Sequence, residues 1–322
     1  MRIGSGQTVV VTGAAGFVGR ETCAALLRAG HAVRALSRHT FTVAGGQPAE
    51  FAVSLVGDLA TTARLEELLA GSNAVVHLAA RVHRRGENLR SADELYERDV
   101  RMTEAMAIAA HRAGIRRLVF LSSIKALGDC SPQGAFARSS SPHPVDPYGR
   151  AKLAAEQRLE AVSASTGLEV VVIRSPLVYG AEAGANFRDL VRWVRRGVPL
   201  PFAGVHNRRS IVSIDNLAAL IVRCLEPVDR NFNLFHVSDA APVSTPELVQ
   251  HVAAGLNVQP RLFSMRAGVL DLCCKVLGRA DLATRLLASL EFETEDSFAA
   301  LAWRPSTSTR EGIVRAVRGM QL

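Results

Sequence analysis

Cysteine is scarce in this sequence of 322 residues, and it follows no metal-binding spacing. The five cysteines are odd in number, and none of them forms a pattern of paired metal ligands. This excludes a disulfide framework or a cysteine-based metal centre as the basis of the fold. We therefore expect no metal, and reduced, mostly buried thiols in a cytoplasmic protein. They are Cys23, Cys130, Cys224, Cys273 and Cys274.

Long apolar runs are also missing. No run of about 18 apolar residues occurs, and the first residues contain no charged segment followed by an apolar stretch. We therefore expect neither secretion nor a membrane span. The apolar stretch 267–290 contains Asp271, Lys275, Arg279 and Asp281, which predicts one or two packed amphipathic helices. A segment lying on a membrane surface is the alternative.

Runs of like charge are absent, although the formal net charge is +8. The excess of cations favours an acidic partner, which includes a diphosphate ligand, nucleic acid and an anionic membrane surface. The arginines are scattered, however, so a dedicated nucleic-acid arm is not expected. Hydrophobic residues form 48% of the chain, which supports one large α/β domain or a domain with a smaller lobe.

A glycine-rich turn between a strand and a helix is the most informative feature that is present. The β-branched run 8–12 leads into Gly13, Gly16 and Gly19, and then into a helical pattern. Turns collect glycine for structural reasons too, but the strand before and the helix after favour a dinucleotide-binding turn. The N–H groups and the positive dipole of the helix end would hold the phosphates. The predicted cofactor contacts here are Gly13, Gly16, Phe17, Val18 and Gly19.

Strands alternate with helices over much of the chain. The predicted strands are 8–12, 32–36, 51–59, 74–80, 117–123, 168–174 and 232–237, and the predicted helices are 20–29, 61–69, 89–113, 148–165, 216–225 with Asp215 as its N-cap, and one from Thr245. This order predicts a doubly wound, Rossmann-like parallel sheet that binds ligands at the carboxyl ends of its strands. We expect a dinucleotide-binding domain of residues 1–176, joined by 207–238. Residues 177–206 and 239–322 would form a smaller substrate lobe.

Ser37 and Arg38 follow the second predicted strand, where a dinucleotide fold meets the adenosine ribose. An acid at this place favours NAD, and an arginine accommodates the 2′-phosphate of NADP. The sequence has no acid here, so NADP is favoured over NAD, with Arg34 and Arg20 as further cations nearby. A solvated surface arginine is the alternative interpretation of Arg38.

Five more residues of interest lie at or near the ends of the third and fourth predicted strands. Asp58-Leu59 ends the third strand, and Asp58 either faces the adenine or caps the following helix. His77 in the fourth strand is interpreted as a core histidine rather than a catalyst. Ala79 and Ala80 follow it, and their small side chains would let the backbone lie close to a cofactor.

Tyr148 and Lys152 lie four residues apart, which places both side chains on one face of a helix. An ammonium beside a phenol favours the phenolate, so Tyr148 is expected to exchange a proton nearer to neutral pH than a free tyrosine. Ser123, at the end of the fifth strand, is expected to hydrogen-bond the substrate oxygen whose charge changes. The alternative is an ordinary exposed helix start.

The motifs together resemble the extended short-chain dehydrogenases/reductases of the NAD-dependent epimerase/dehydratase group. They are Gly13-x-x-Gly16-x-x-Gly19, Asp58-Leu59, His77 to Ala80, Ser122-Ser123, Tyr148-x-x-x-Lys152, Arg174-x-Pro176-x-x-Tyr179-Gly180 and Ala302-Trp303-x-Pro305. The resemblance implies that Ser123, Tyr148 and Lys152 are catalytic. It also implies that Lys152 holds the nicotinamide ribose and that Pro176 flanks the nicotinamide. Asp99-Val100 departs from the Asn-Val that is usual in the group.

Within the group, three segments look most like bacterial nucleotide-sugar 4-epimerases and 4-ketoreductases of surface-polysaccharide synthesis. They are 79–83, 121–125 and 207–210. This likeness implies that Asn186 and Arg209 bind the diphosphate of a nucleotide sugar, and a solvated loop arginine is the alternative for Arg209. It also implies a homodimer through the helices 89–113 and 148–165.

The sequence thus predicts an oxidoreductase that acts at C4 of a nucleotide-activated sugar. Net 4-ketoreduction is favoured, and 4-epimerisation of a UDP-sugar is the first alternative because it uses the same residues. A regulator that binds a dinucleotide without catalysis is the second alternative. Such regulators typically lack the tyrosine and lysine pair, which this chain has.

Overall fold

A computed structural model describes residues 6–43, 46, 48–80, 89–276, 278 and 280–321. Within these residues, seven parallel strands form one sheet in the order β3-β2-β1-β4-β5-β6-β9, and β7 and β8 pair separately. The predicted doubly wound parallel sheet is therefore confirmed. The strands are β1 (Thr8–Thr12), β2 (Ala32–Ser37), β3 (Phe51–Leu55), β4 (Ala74–His77), β5 (Arg117–Ser123), β6 (Glu169–Ser175), β7 (Leu177–Tyr179), β8 (Ile211–Ser213) and β9 (Phe232–His236).

Helices connect the strands and cover both faces of the sheet. They are α1 (Phe17–Arg28), α2 (Leu65–Leu69), α3 (Leu89–Arg112), α4 (Pro147–Thr166), α5 (Ala185–Arg195), α6 (Ile214–Arg223), α7 (Thr245–Leu256), α8 (Ala267–Val276), α9 (Ala280–Leu287), α10 (Glu295–Leu301) and α11 (Thr309–Arg318). Most lie within a few residues of the predicted bounds, because apolar periodicity and glycine caps mark their ends.

The side chains of each strand alternate between two apolar layers. Val9 and Val11 in β1 pack into a cluster with Leu26 of α1 and Leu217 of α6. Val10 points to the other face, into a cluster with Met106 of α3. All six side chains are fully buried. This two-sided burial explains why the strands are near-continuous apolar runs.

A third apolar cluster lies apart from the two faces of the sheet. It contains Tyr179 of β7, Val191 of α5, Val249 of α7 and Ile313 of α11. The Tyr179 hydroxyl donates to Asp239 Oδ2 at 2.5 Å. Parallel strands β7 and β8 were not predicted from the sequence, because each has only three residues. The division into a dinucleotide-binding domain and a substrate lobe stays a prediction.

The helix predicted from residue 61 begins later, at Leu65 in α2. The reason is a local turn at Asp58, whose Oδ1 accepts a hydrogen bond from the Ala60 N–H at 3.0 Å. The Asp58 carbonyl accepts the Thr61 and Thr62 hydroxyls at 3.2 and 2.9 Å. Asp58 therefore closes a turn, and the prediction that it caps the helix is wrong.

The prediction of Asp215 as a helix cap is also wrong. Ser213 caps α6, and its Oγ accepts the Asn216 N–H at 3.1 Å. Asp215 lies in the first turn of α6 and pairs with Arg315 of α11 at 3.1 Å. Ser213 is the cap because it ends β8 in an extended conformation, which an N-cap requires.

The segment 267–290 contains the two amphipathic helices α8 and α9, as predicted. Leu270 of α8 is buried, whereas Leu272 and Val276 are 61% and 78% exposed. Among the described residues, none of the helices has the length and apolarity needed to cross a bilayer. The membrane-surface alternative stays a prediction.

The glycine turn after β1 allows close backbone contacts that fix the start of α1. Gly13 has φ of 66°, and a Cβ on it would lie 2.8 Å from the Ala79 nitrogen. A Cβ on Gly19 would lie 2.2 Å from the Gly13 carbonyl oxygen. Other residues cannot fit at either position without moving the backbone. The turn therefore packs α1 against β1 and places it beside the end of β4.

Replacing Gly19 by alanine tests this packing. We expect Gly19→Ala to destabilise the protein by about 1–3 kcal/mol, the usual cost of overpacking, because the contact is with rigid backbone. Gly268→Ala in α8 is the matched control, since a Cβ there meets no atom within 4 Å. It should be neutral or stabilising by up to about 1 kcal/mol. Urea denaturation measures both, and equal stabilities of the two variants would contradict the account.

Candidate active site

The site begins where β5 and α4 meet. Ser123 ends β5 directly beside Ser175 at the end of β6. The Asp146 side chain caps α4 and accepts the Gly149 N–H at 2.7 Å. Asp146 also pairs with Lys125, just after β5, at 2.6 Å. These contacts hold the first turn of α4 against the end of β5.

Tyr148 lies in that first turn and is hydrogen-bonded to Ser123. Its ring packs edge-on against the Tyr96 ring of α3, with centroids 5.9 Å apart. Burial raises the pKa of Tyr148 to about 12, and the hydrogen bond with Ser123 only partly opposes this. The pKa of Tyr148 is thus raised overall, whereas the sequence analysis expected it to be lowered, because desolvation is the largest effect on this buried phenol.

Lys152 lies one turn further along α4, and its ammonium is buried. It donates to the Leu121 carbonyl at 2.9 Å. It also lies 4.6 Å from the Phe120 ring centroid and 5.8 Å from that of Tyr148. Burial lowers the pKa of Lys152 to about 8, and the carboxylates of Asp99 and Glu156 oppose that effect. The predicted trio of Ser123, Tyr148 and Lys152 thus comes together.

A buried ion pair that the sequence analysis missed lies beneath this trio. Glu156 of α4 accepts Arg174 Nε at 3.0 Å and Arg174 Nη2 at 2.6 Å. It also accepts the Ser122 hydroxyl. Both charged side chains are about 95% buried, so solvent screens the attraction between them only weakly. The spacing of Glu156, four residues after Lys152, is the signal that could have pointed to it.

His77 forms the centre of a buried chain of hydrogen bonds. Thr103 donates its hydroxyl to the Asp99 carbonyl at 2.8 Å. His77 Nε2 must then donate to Thr103 Oγ1, 3.3 Å away, and Nδ1 must accept from Thr12 Oγ1, 2.8 Å away. Burial lowers the pKa of His77 to about 3. The predicted structural role of His77 is confirmed, and it ties β4 to β1 and α3.

The end of β4 is held by the same chain of hydrogen bonds. Thr12 Oγ1 accepts the N–H groups of Leu78 and Ala79 at 3.2 and 3.1 Å. Ala80 follows at the surface. Residues 81–83 of the sequence motif lie outside the described part of the structure.

The start of α1 fits a dinucleotide diphosphate. Gly16 is its N-cap, and no side chain among the described residues caps this helix. The N–H groups of its first turn, from Phe17, Val18 and Gly19, therefore have no partner within the helix and are oriented to meet an anion. The Phe17 ring packs near Gly180, after β7.

At the end of β2, the described side chains partly match the sequence analysis. Arg38 is exposed, whereas the Ser37 hydroxyl turns back to donate to the His39 carbonyl at 2.7 Å. The Arg34 guanidinium instead donates to the carbonyls of Leu68 and Ala70 near the end of α2, at 3.1 and 2.9 Å. The expectation that Arg34 supplies charge at the end of β2 is therefore wrong, because helix-end carbonyls attract cations.

Two more predicted contacts have defined neighbours. Arg20 lies over the Phe41 ring, 5.4 Å from its centroid. Asp58 forms an ion pair with Arg98 of α3, and Leu59 beside it is buried. That Asp58 faces the adenine stays a prediction.

The residues predicted to bind substrate also include Arg209 and Asn186. Arg209 is largely buried and donates to the Ala288 carbonyl at 2.9 Å. Burial and the nearby Arg285 lower its pKa, whereas Asp129 opposes them. Asp129 belongs to the loop between β5 and α4, so Arg209 lies within electrostatic reach of that loop. Pro176 is buried between β6 and β7. Asn186 lies in α5, but its side chain is outside the described part of the structure.

Comparison with known proteins identifies the family. The model of the NAD dependent epimerase/dehydratase family matches residues 9–235. The chain belongs to this family. A "UDP-glucose 4-epimerase" of Vibrio cholerae is 34% identical over 310 residues, which cover 95% of this chain and 93% of that relative. Membership of the epimerase/dehydratase family confirms the expectations of an enzyme and of a nicotinamide dinucleotide as its cofactor.

Solved structures support the same fold. The Bordetella bronchiseptica enzyme WbmG, in complex with NAD, has a TM-score of 0.77 at 19% identity, covering 98% of this chain and 94% of that chain. The UDP-glucose 4-epimerase of Thermotoga maritima, with UDP-glucose, has a TM-score of 0.76 at 20% identity, covering 97% and 98%. At these identities, the epimerase/dehydratase structures show the likeness of fold alone.

Proposed function

We propose that this protein transfers hydride between a nicotinamide dinucleotide and C4 of a nucleotide-activated sugar. The observation that carries the proposal is the cluster formed by Tyr148, its hydrogen-bond partner Ser123 and the buried Lys152 ammonium. The cluster lies at the carboxyl edge of the sheet, where the uncapped start of α1 also opens. The V. cholerae relative, named a UDP-glucose 4-epimerase, supports this class of substrate.

The side chains divide the work as follows. A bound nicotinamide would accept or supply the hydride. Tyr148 moves the proton of the C4 hydroxyl: its neutral phenol donates when a ketone is reduced, and its phenolate accepts when an alcohol is oxidised. Ser123 hydrogen-bonds the same sugar oxygen. The charge of Lys152 favours the phenolate against the effect of burial, and by the family resemblance Lys152 would also hold the nicotinamide ribose.

Removing the phenolic oxygen tests this assignment. Tyr148→Phe should lower kcat by about 10²–10⁴-fold, the usual contribution of an acid or base group, while dinucleotide affinity changes little. Tyr96→Phe is the matched control, because it removes a neighbouring hydroxyl that has no proposed part in proton transfer. Single-turnover rates with a nucleotide sugar measure the effect. A Tyr148→Phe rate above about a tenth of the wild-type rate would overturn the role.

We further propose that Arg209 binds the diphosphate of the sugar nucleotide, with Asn186 beside it. A second guanidinium, that of Arg285, lies close enough to Arg209 to disfavour the charge of Arg209. Such like charges are retained together where an anion can bind them both. The overall charge of +8 supports an acidic substrate.

Arg209→Ala should raise KM for a nucleotide sugar at least tenfold, because a charge-assisted hydrogen bond contributes about 1.5–3 kcal/mol. It should barely change the KM of a truncated sugar that lacks the diphosphate. Arg208→Ala is the control, since Arg208 is exposed and pairs with Glu291 at 2.9 Å. Equal effects of Arg209→Ala on the KM of both substrates would show that Arg209 does not bind the diphosphate.

We also propose that the cofactor is NADP rather than NAD. No carboxylate follows β2 within the next several residues, and exposed Arg38 is free to meet a 2′-phosphate. A charge-assisted bond of about 1.5–3 kcal/mol corresponds to a 10- to 150-fold preference.

Dissociation constants of NADPH and NADH measure this preference. Arg38→Ala should abolish most of it, and Arg28→Ala, at the far end of α1, should leave it unchanged. Equal affinities of the wild-type protein for both cofactors would contradict the proposal.

Two net reactions remain candidates for the same site. The missing carboxylate after β2 and the exposed Arg38, which favour NADP, also favour net 4-ketoreduction, which consumes reduced cofactor. The name of the V. cholerae relative favours 4-epimerisation, which returns the hydride and consumes none. Product analysis alongside cofactor absorbance separates the two. A role in surface-polysaccharide synthesis and a homodimer stay predictions.

A further inference from the structure

A small cavity of about 20 Å³ lies between α3 and α4, directly beside the catalytic trio. Asp99 and Thr103 of α3 line one side, and Tyr148 and Lys152 of α4 line the other. A cavity of this size holds about one water molecule. The wall from α3 thus brings a carboxylate to the site of the buried ammonium.

The position of Asp99 is held by the hydrogen-bond chain that starts at the sheet. Its carbonyl accepts the Thr103 hydroxyl at 2.8 Å, and Thr103 in turn meets His77 of β4 at 3.3 Å. This turn of α3 is therefore tied to the core of the protein, and the Asp99 side chain starts from an anchored backbone.

Each element packed around Lys152 contributes groups that face its ammonium. From β4 comes His77, which burial keeps neutral, and from β5 come the Leu121 carbonyl and the Phe120 ring. Glu156 of α4 is held in a bidentate pair by Arg174 of β6, at 2.6 to 3.2 Å, so its charge is largely neutralised.

On the α3 side, Tyr96 contributes an aromatic ring against Tyr148. Two carboxylates favour the charged form of Lys152, and the effect of Asp99 is larger than that of Glu156. Because Arg174 already neutralises Glu156, the buried ammonium of Lys152 still requires a compensating anion. Asp99 supplies that charge from across the cavity.

We propose that Asp99 is the counter-ion of Lys152, a positioning residue that keeps the ammonium charged beside Tyr148. The consequence for catalysis rests on the proposed function, in which the charge of Lys152 favours the phenolate. The counter-ion role itself concerns the resting protein. It can be measured without turnover.

The sign of the effect follows from the ionic forms. Lys152 is a cation below its pKa, and burial already lowers that pKa to about 8. Removing the negative charge of Asp99 leaves burial less opposed, so the pKa falls further and the cation is lost at a lower pH. A nearby opposite charge typically accounts for a change of about 1 to 3 in pKa.

The chain has three lysines, Lys125, Lys152 and Lys275, so NMR of protein labelled at lysine resolves each titration. Lys152→Met assigns the signal of Lys152. In the full-length wild-type protein without added ligand, we expect Lys152 to titrate near 8. Asp99→Asn, which is nearly the same size, should lower this midpoint by about 1 or more.

Two variants of the same helix complete the test. Glu97→Gln removes an exposed carboxylate of α3 and should leave the midpoint unchanged, whereas Asp99→Glu keeps the charge and should stay closer to wild type than Asp99→Asn. An unchanged midpoint in Asp99→Asn would overturn the proposal. So would an equal fall in Asp99→Glu, because it would show that the shape of Asp99 matters and its charge does not.

The activity readout separates this proposal from the proposed function. With a nucleotide sugar that turns over, Asp99→Asn should move the alkaline limb of kcat/KM to lower pH by the same amount as the NMR midpoint. If no nucleotide sugar reacts, the proposed function fails while the titration of Lys152 still tests the counter-ion. If the NMR midpoint of Lys152 moves but the alkaline limb of kcat/KM does not, the proposed effect of Asp99 on catalysis is overturned.

Discussion

The burial of the Lys152 ammonium is the constraint on which the site depends. A charge removed from water must be met by other groups, because an uncompensated one would shift its protonation or destabilise the fold. Here the Leu121 carbonyl and the Phe120 ring meet it from β5, and the carboxylates of Asp99 and Glu156 meet it from two helices. Arg174 in β6 then balances Glu156. The compensation of this one buried cation thus links two strands and two helices at a single edge of the sheet.

The parts that could be predicted from the sequence are those encoded by local patterns. Apolar β-branched runs mark strands, and Gly13, Gly16 and Gly19 between a strand and a helix mark the turn that joins β1 to α1. The spacing of Tyr148 and Lys152 places both on one helix face. Since the carboxyl ends of parallel strands share an edge, the convergence with Ser123 followed from the fold alone.

The parts that could not be predicted depend on contacts between distant residues. Arg34 lies on a strand near the presumed ribose site, yet the carbonyls at the end of α2 hold its guanidinium. Asp215 has the sequence features of a helix cap. Its carboxylate instead accepts a hydrogen bond from Arg315, 100 residues further along the chain. The pKa of Tyr148 depends on how completely the ring is buried, and residue spacing does not encode that.

The central claim is that this site moves a hydride to or from C4 of a nucleotide-activated sugar. The most direct measurement is to incubate the protein and its dinucleotide with UDP-glucose carrying deuterium at C4, and to follow the label by mass spectrometry. For a reductase running in reverse, the account predicts that the deuterium accumulates on the nicotinamide ring, and for an epimerase it predicts that the deuterium returns to C4 of the inverted sugar. Finding neither deuterium on the nicotinamide nor a sugar inverted at C4, with UDP-glucose and with a panel of other labelled nucleotide sugars, would contradict it.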